Sequence, residues 1–254
     1  MSLVLHQYRY DQKQFWREPA SVFFTVVLPL IFFTLFASIF GSDTTMVRGQ
    51  EIDTSTYYVP AILALALINA TFVNLTIWLT IARERGQLKR VRATPVPAWV
   101  VIVGRTLTAV AVSFVMVVVV CLFGAVLYGV DLPTSTLPGV VVSVLVGTCS
   151  LAALGFAVAG VVPSENAAPA VANVIVLPLE FMSGIFVPSE QIPDWMDTIA
   201  SVFPVKPLFD SLFAAFDPLA GGIGVAWGDL AVVAAWGVAG VLLALRSFRW
   251  SPNR

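Results

Sequence analysis

The sequence predicts an all-α membrane protein: six transmembrane helices, an N-terminal amphipathic interfacial helix, and short outer re-entrant helices between spans five and six. Three observations carry this. Of the 254 residues, 58% are apolar and only 11% charged, whereas a soluble domain carries roughly 25% charge. The 14 Lys and Arg and 15 Asp and Glu residues are too few to coat a soluble domain of this length. Mean hydropathy is +0.89, and several uncharged runs reach the roughly 20 residues that cross a hydrocarbon layer of about 30 Å. All of it reads as one transmembrane domain, 1–254.

The first element is a helix over 3–17. Arg9, Lys13 and Arg17 recur at i, i+4 and i+8 and form a basic stripe, while Leu5, Tyr8, Phe15 and Trp16 cluster on an adjoining arc. Such a helix lies on a membrane surface with its cations toward anionic lipid headgroups. The run 21–40 is the first span; it exceeds the 7–15-residue apolar core of a cleaved signal peptide and reads as retained. Further spans follow at about 57–82, 106–130, 139–162, 169–187 and 223–245. The loops 41–56 and 131–138 are short. The segment 188–222 is long, and Pro188, Pro193, Pro204, Pro207 and Pro218 punctuate its apolar stretches 195–203 and 208–216. Trp195, Phe203, Phe209 and Phe213 need apolar neighbours there. Two short helices dipping into the outer interface satisfy that need, and so does a loop that merely caps the bundle.

Charge placement orients the spans. With both termini cytoplasmic, the N-terminal segment, the loop after the second span and the C-terminal tail hold twelve of the fourteen Lys and Arg residues; only Arg48 and Lys206 fall outside. The opposite orientation would reverse the ratio, so the positive-inside rule predicts a multi-pass chain with both ends on the cytoplasmic side.

Polar residues within the spans are sparse. Asn69, Thr76 and Thr80 share a face of the second span at i, i+7 and i+11; Asn173 and Glu180 are seven apart in the fifth, and Ser183 and Gly184 continue their face. Groups at this depth face a cavity, another helix or a second subunit. An ionised Glu180 at mid-span costs about 2.5–3.5 kcal/mol on insertion scales, so it either lines a substrate path, with Asn69, Thr76 and Asn173, or makes a structural hydrogen bond. Pairs of small residues, Gly155 with Ala159 and Gly224 with Gly228, suit close helix packing. Cys121 and Cys149 lie in apolar runs and read as small hydrophobes, and with His6 the single histidine no metal site is expected.

The densest polar stretch is the basic loop 83–97, R-E-R-G-Q-L-K-R-V-R-A-T-P-V-P. By pattern it is a short helix with Leu88 and Val91 on one face, stopped by Pro95 and Pro97. The ordered string resembles the cytoplasmic loop between the second and third spans of ABC-2 type permeases, the membrane subunits of ATP-binding cassette exporters, and is similar to daunorubicin-resistance-type drug export permeases. The segment 177–188, L-P-L-E-F-M-S-G-I-F-V-P, followed by Gln191-Ile192-Pro193-Asp194-Trp195 and by Phe203-Pro204, resembles that family's fifth span and outer re-entrant region. Glu180 departs from the apolar residue commoner at such a position.

The resemblance implies a permease subunit that pairs with a second permease subunit, as homodimer or related heterodimer, and with a separate ATP-binding cassette ATPase. It implies that the loop 83–97 docks that ATPase, with Leu88 and Val91 as apolar contacts, Glu84 and Arg85 as ion-pairing partners, and Gly86 as the turn. The chain has no phosphate-binding loop of its own: Lys13, Lys89 and Lys206 are followed by Gln14, Arg90 and Pro207, never by Ser or Thr. ATP and Mg2+ therefore belong to the partner, and no cofactor is expected on this chain. Few charges and many aliphatic and aromatic walls suggest a hydrophobic or amphipathic cargo, a drug or natural product, with a lipid or lipid-linked glycan as the alternative. A secondary transporter or channel would need ionisable groups spread along its spans, where Glu180 is nearly solitary. A membrane-embedded enzyme fits less well, since neither G-x-S-x-G nor paired acidic metal ligands occur. Nucleic acid is not expected as a partner.

Overall fold

The computed structural model describes residues 3–40, 44–47, 50–93, 96–188, 191–217 and 222–247. The interfacial helix is α1 (Leu3–Arg17). The first span, Pro19–Phe40, comprises α2 (Pro19–Val22), a π turn (Phe23–Val27) and α3 (Leu28–Phe40). Pro19 starts it well, because an N–H at the first helical position would have no partner within the helix. A two-stranded antiparallel ribbon, β1 (Thr44–Val47) with β2 (Gln50–Asp53), occupies the first outer loop and pairs Thr44 with Asp53. It is the sole departure from helix among the described elements.

The second span, Thr54–Glu84, comprises α4 (Thr54–Ile68), a second π turn (Asn69–Val73) and α5 (Asn74–Glu84). The short α6 (Gln87–Arg92) follows. The third span is α7 (Ala98–Tyr128), closed by Gly129 at φ 66°, the left-handed cap that only glycine takes without cost. It starts eight residues earlier than charge alone suggests, since Arg105 is absorbed inside it. The fourth span is α8 (Leu137–Val161) and the sixth α12 (Trp227–Ser247). The sixth begins later than expected because Gly222 and Gly224 take positive φ angles of 81° and 67°.

The predicted fifth span, 169–187, is helical over only part of its length. Its helix, α9 (Ala168–Met182), has 15 residues and is about 22 Å long at 1.5 Å per residue, short of a ~30 Å layer. Gly184 at φ 91° ends the helical path. The chain then continues non-helically but buried: the Tyr57 hydroxyl donates to the Gly184 carbonyl, and the Tyr58 hydroxyl to Phe186 O at 3.4 Å. Irregular backbone is tolerated at membrane depth where protein groups satisfy it in this way. Among the described residues, five helices are thus long and apolar enough to cross a membrane, or six if the next bent pair counts as one span.

That pair, α10 (Asp194–Val202) and α11 (Val205–Phe216), supplies the two expected outer helices, bent by 94° at Phe203-Pro204. Lys206 Nζ holds the bend, 3.0 Å from Asp197 Oδ1 and 3.2 Å from Asp210 Oδ2. Phe203 stacks on Trp236 at 5.8 Å, whose Nε1 donates to Val202 O at 2.7 Å. Phe209 and Phe213 are buried against Tyr57, while Trp195 remains exposed.

The centre of the molecule is the second span. Its residues 57–68 are apolar on every side and all buried, as expected for a helix without a polar face. α3, α7, α8 and α11 surround it. The first, third and sixth spans instead expose large apolar side chains such as Ile31, Leu35, Val118, Leu122, Leu242 and Leu245, the surface a bilayer would cover. Fourth and sixth spans pack most closely. A Cβ on Gly240 would stand 2.8 Å from Leu154 N and 2.9 Å from Ala153 C. Gly155 fits against the backbone of Phe72 as expected, and Gly224 is also closely packed, a Cβ there standing 2.7 Å from Thr136 Cβ; Gly228 does not share in this, since a Cβ on it would meet nothing within 4 Å.

Candidate functional site: a membrane cavity and the loop cluster at its end

The loop 83–93 is built as an anchored clamp. Arg83 continues α5 and is buried; its Nη1 donates to Ala159 O at 2.8 Å and Gly160 O at 3.4 Å, and its Nη2 to Val162 O. These carbonyls end α8, where a helix leaves acceptors unsatisfied, so one guanidinium closes the fourth span from the second. The next residue accepts: Glu84 Oε2 takes the backbone N–H of Glu165 at 2.8 Å. Arg85 Nε then stands 2.9 Å from Glu165 Oε2 in a half-exposed pair. Three consecutive residues therefore grip the loop 162–167, joining the two connections at this end of the bundle. Gly86, at φ 66°, is the expected turn into α6.

Leu88 differs from its expected role. It is buried, packed with Leu79, Ala82 and Ala159, and so anchors α6 inward rather than offering an outer contact. The outward positions of α6 are Gln87, Lys89 and Arg90. Val91 lies in the same helix, but its side chain is outside the described ones.

α1 docks on the third span through polar groups that periodicity assigned to neither face. Asp11 is fully buried; its Oδ1 is 3.2 Å from Arg105 Nε and accepts from Gln7 Nε2 at 3.0 Å. Arg105 also donates to Gln14 Oε1, and its guanidinium lies 3.9 Å from the Trp78 ring centre. Burial pushes the Asp11 carboxyl above the usual aspartate range, and the Arg105 charge and the Gln7 hydrogen bond oppose it only in part. The basic residues Arg9, Lys13 and Arg17 face outward as the sequence suggests. Asp11 is the one acid in α1, with Gln7 and Gln14 four and three residues away on its face; that polar seam was the available signal for helix-to-helix docking.

Between α1, the first span, the second span and α9 lies a cavity of about 620 Å3, within the range of drug-sized sites. Asn69, Asn173 and Glu180 all line it, so three of the four expected path residues come together. Asn69 Nδ2 and Asn173 Nδ2 donate to their own helices, at Leu65 O (2.9 Å) and Pro169 O (2.8 Å), leaving their amide oxygens for other partners. Thr76 is not brought into the cavity: it is buried and donates to Gly155 O at 3.2 Å, and Thr80 donates to Thr76 O at 2.8 Å. The π turn 69–73 explains this. Its i→i+5 bonding inserts an extra residue, so positions seven apart across it no longer share a face. Both π turns abut, and both contribute cavity residues, Phe24 and Thr25 from one and Asn69 and Val73 from the other. Trp78, Phe32 and Phe186 give it aromatic walls, and Arg85 and Gln87 belong to its loop end.

Comparison with known proteins accords with this arrangement. A family model described as ABC-2 type transporter matches residues 5–216. The chain is 21% identical over 204 residues to "Putative transport permease YvfS" of Bacillus subtilis (strain 168), covering 80% of this chain and 81% of that one. It is 31% identical over 195 residues to "Daunorubicin resistance ABC transporter permease protein DrrB1" of Streptomyces coeruleorubidus, covering 74% and 65%. A "Probable multidrug ABC transporter permease YbhR" of Escherichia coli (strain K12) is 24% identical over 164 residues, covering 64% of this chain and 44% of that relative. By the extent of the family match and the helical membrane architecture beneath it, this chain belongs to the ABC-2 type transporter family.

Proposed function

We propose that the chain is the permease subunit of an exporter that moves a hydrophobic or amphipathic compound outward across the cytoplasmic membrane, both termini inside, driven by ATP hydrolysis on a separate ATPase subunit. Two permease chains and two ATPases would make the working unit. The observation that carries this reading is the continuity of one rod: the second span runs from the 83–93 clamp directly to the cavity wall at Asn69. α6 follows across the Gly86 turn and is pinned to the rod by buried Leu88, so a push on α6 reaches that wall. Because Arg83, Glu84 and Arg85 tie in the 162–167 loop, the same push moves α8 and α9, and the cavity changes shape from two sides. ATP and Mg2+ act on the partner, and this chain's residues transmit force and line the path.

Docking would use the outward face of α6, with Arg85 and Glu165 beside it and Leu88 holding the helix down. The test is co-purification with the ATPase that associates with this chain, comparing wild type with Lys89→Glu/Arg90→Glu. Loss of the ATPase from a correctly folded variant is expected; retention at wild-type stoichiometry would overturn the docking assignment. Stimulation of that ATPase by amphipathic compounds in reconstituted vesicles tests export itself.

A further inference from the structure

Glu180 is 3% exposed, lines the cavity, and its Oε1 has no hydrogen-bond partner among the described residues. Most buried carboxylates in proteins are paired, because leaving one without a partner is costly. The neighbouring hydroxyl donor does not serve it, since Ser183 donates to the backbone carbonyl of Glu180 rather than to its carboxylate, at 2.8 Å. The cationic residues of the cavity, Arg85 and Arg105, are already engaged with Glu165 and Asp11. Around the cavity, Phe32, Phe186 and Trp78 supply flat apolar surface.

Resting on the export reading, we infer that this cavity takes an aromatic amphipath bearing one positive charge, with Glu180 as its counter-ion. The aromatic walls hold the ring system and add attraction for the cation at their faces. The carboxylate pairs with the charge in a site from which water is largely excluded, where an ion pair discriminates strongly against neutral or anionic analogues. The amide oxygens of Asn69 and Asn173 are further acceptors for an N–H-bearing cation.

The test uses two isosteric probes, tetraphenylphosphonium and tetraphenylborate, with the full chain in lipid nanodiscs. Binding is measured by equilibrium dialysis above the uptake of empty discs. The phosphonium should bind the wild type at least about tenfold more tightly than E180Q, and the borate should show no such dependence on Glu180. Equal phosphonium binding by wild type and E180Q would overturn the inference, as would borate binding as tight as that of the phosphonium. If E180Q does not fold, wild-type protein decides: phosphonium should slow carbodiimide labelling of Glu180, read by mass spectrometry, and borate should not. No slowing, or equal slowing by both, again overturns it; a second copy of this chain covering Glu180 would give the former result. The export reading fails separately, by the absence of a co-purifying ATPase, and would survive a result in which only neutral compounds stimulate that ATPase.

Discussion

Arg83 shows how much a single side chain can hold at a membrane surface. Arg83→Ala removes every donor it gives to the end of α8 and leaves those carbonyls buried, so the purified protein should lose about 3 kcal/mol in chemical unfolding. Arg83→Lys should recover only part of that, since an ammonium lacks the planar fork that reaches Ala159 and Val162 together. An unchanged midpoint in Arg83→Ala would show that water replaces the guanidinium. Asp11 gives a pH-dependent counterpart. Because its carboxyl is raised by burial above the ordinary 3.8, the folded chain keeps a proton that the unfolded chain has lost. Its contribution to stability therefore falls as pH rises from 3.8 through the raised value. Asp11→Asn should flatten that slope in thermal unfolding measured from pH 4 to 7, and an identical slope would exclude Asp11 as its source. Arg83's role was not legible in the sequence, where it and Arg105 count only as topology charges, and Asp11's was signalled only by its seam with Gln7 and Gln14. Hydrogen bonds across 76 residues, as between Arg83 and Ala159, leave no local pattern.

Among the elements, five long helices were readable because uninterrupted hydropathy is itself the cause of spanning. The exceptions are places where backbone chemistry overrides composition. α9 stops at Gly184 although the residues beyond it are apolar, and Tyr57 and Tyr58 make that stop tolerable. The π turn 69–73 rotates Thr76 away from Asn69, and no residue in N-A-T-F-V announces it. Tyr57→Phe, which leaves the Gly184 carbonyl without its buried donor, should cost about 1–3 kcal/mol. Packing of the sixth helix gives a sharper contrast. Gly240→Leu forces a side chain into the backbone of Ala153 and Leu154 and should cost about 1–3 kcal/mol or abolish the folded yield. Gly228→Ala, at an open position in the first turn of the same helix, should stay within about 0.5 kcal/mol of wild type. Equal effects in size-exclusion and thermal assays would mean that these two helices do not pack as described.

At the scale of the whole molecule, the cavity was half legible. Asn69, Asn173 and Glu180 stand out as rare polar groups in apolar runs, but their convergence depends on how the second span and α9 cross. The proposed orientation makes a direct prediction. With Cys121 and Cys149 replaced by Ala, Glu165→Cys should react with an impermeant maleimide only from the cytoplasmic side, and Ser201→Cys only from outside. Labelling of both from one side would reverse or break the topology.

The all-round burial of residues 57–68 carries a consequence for how such a chain can diverge. Every position of that helix is buried among surrounding helices, so a substitution there has to be answered by another elsewhere, and the segment should change slowly and in pairs. On the outer faces of the first and sixth spans, Ile31, Leu35, Leu242 and Leu245 would meet only fluid acyl chains, to which one bulky aliphatic group is much like another. A saturation library selected for folding should therefore tolerate most apolar replacements on those faces and almost none between Tyr57 and Ile68, so drift is free at the rim and arrested at the axis.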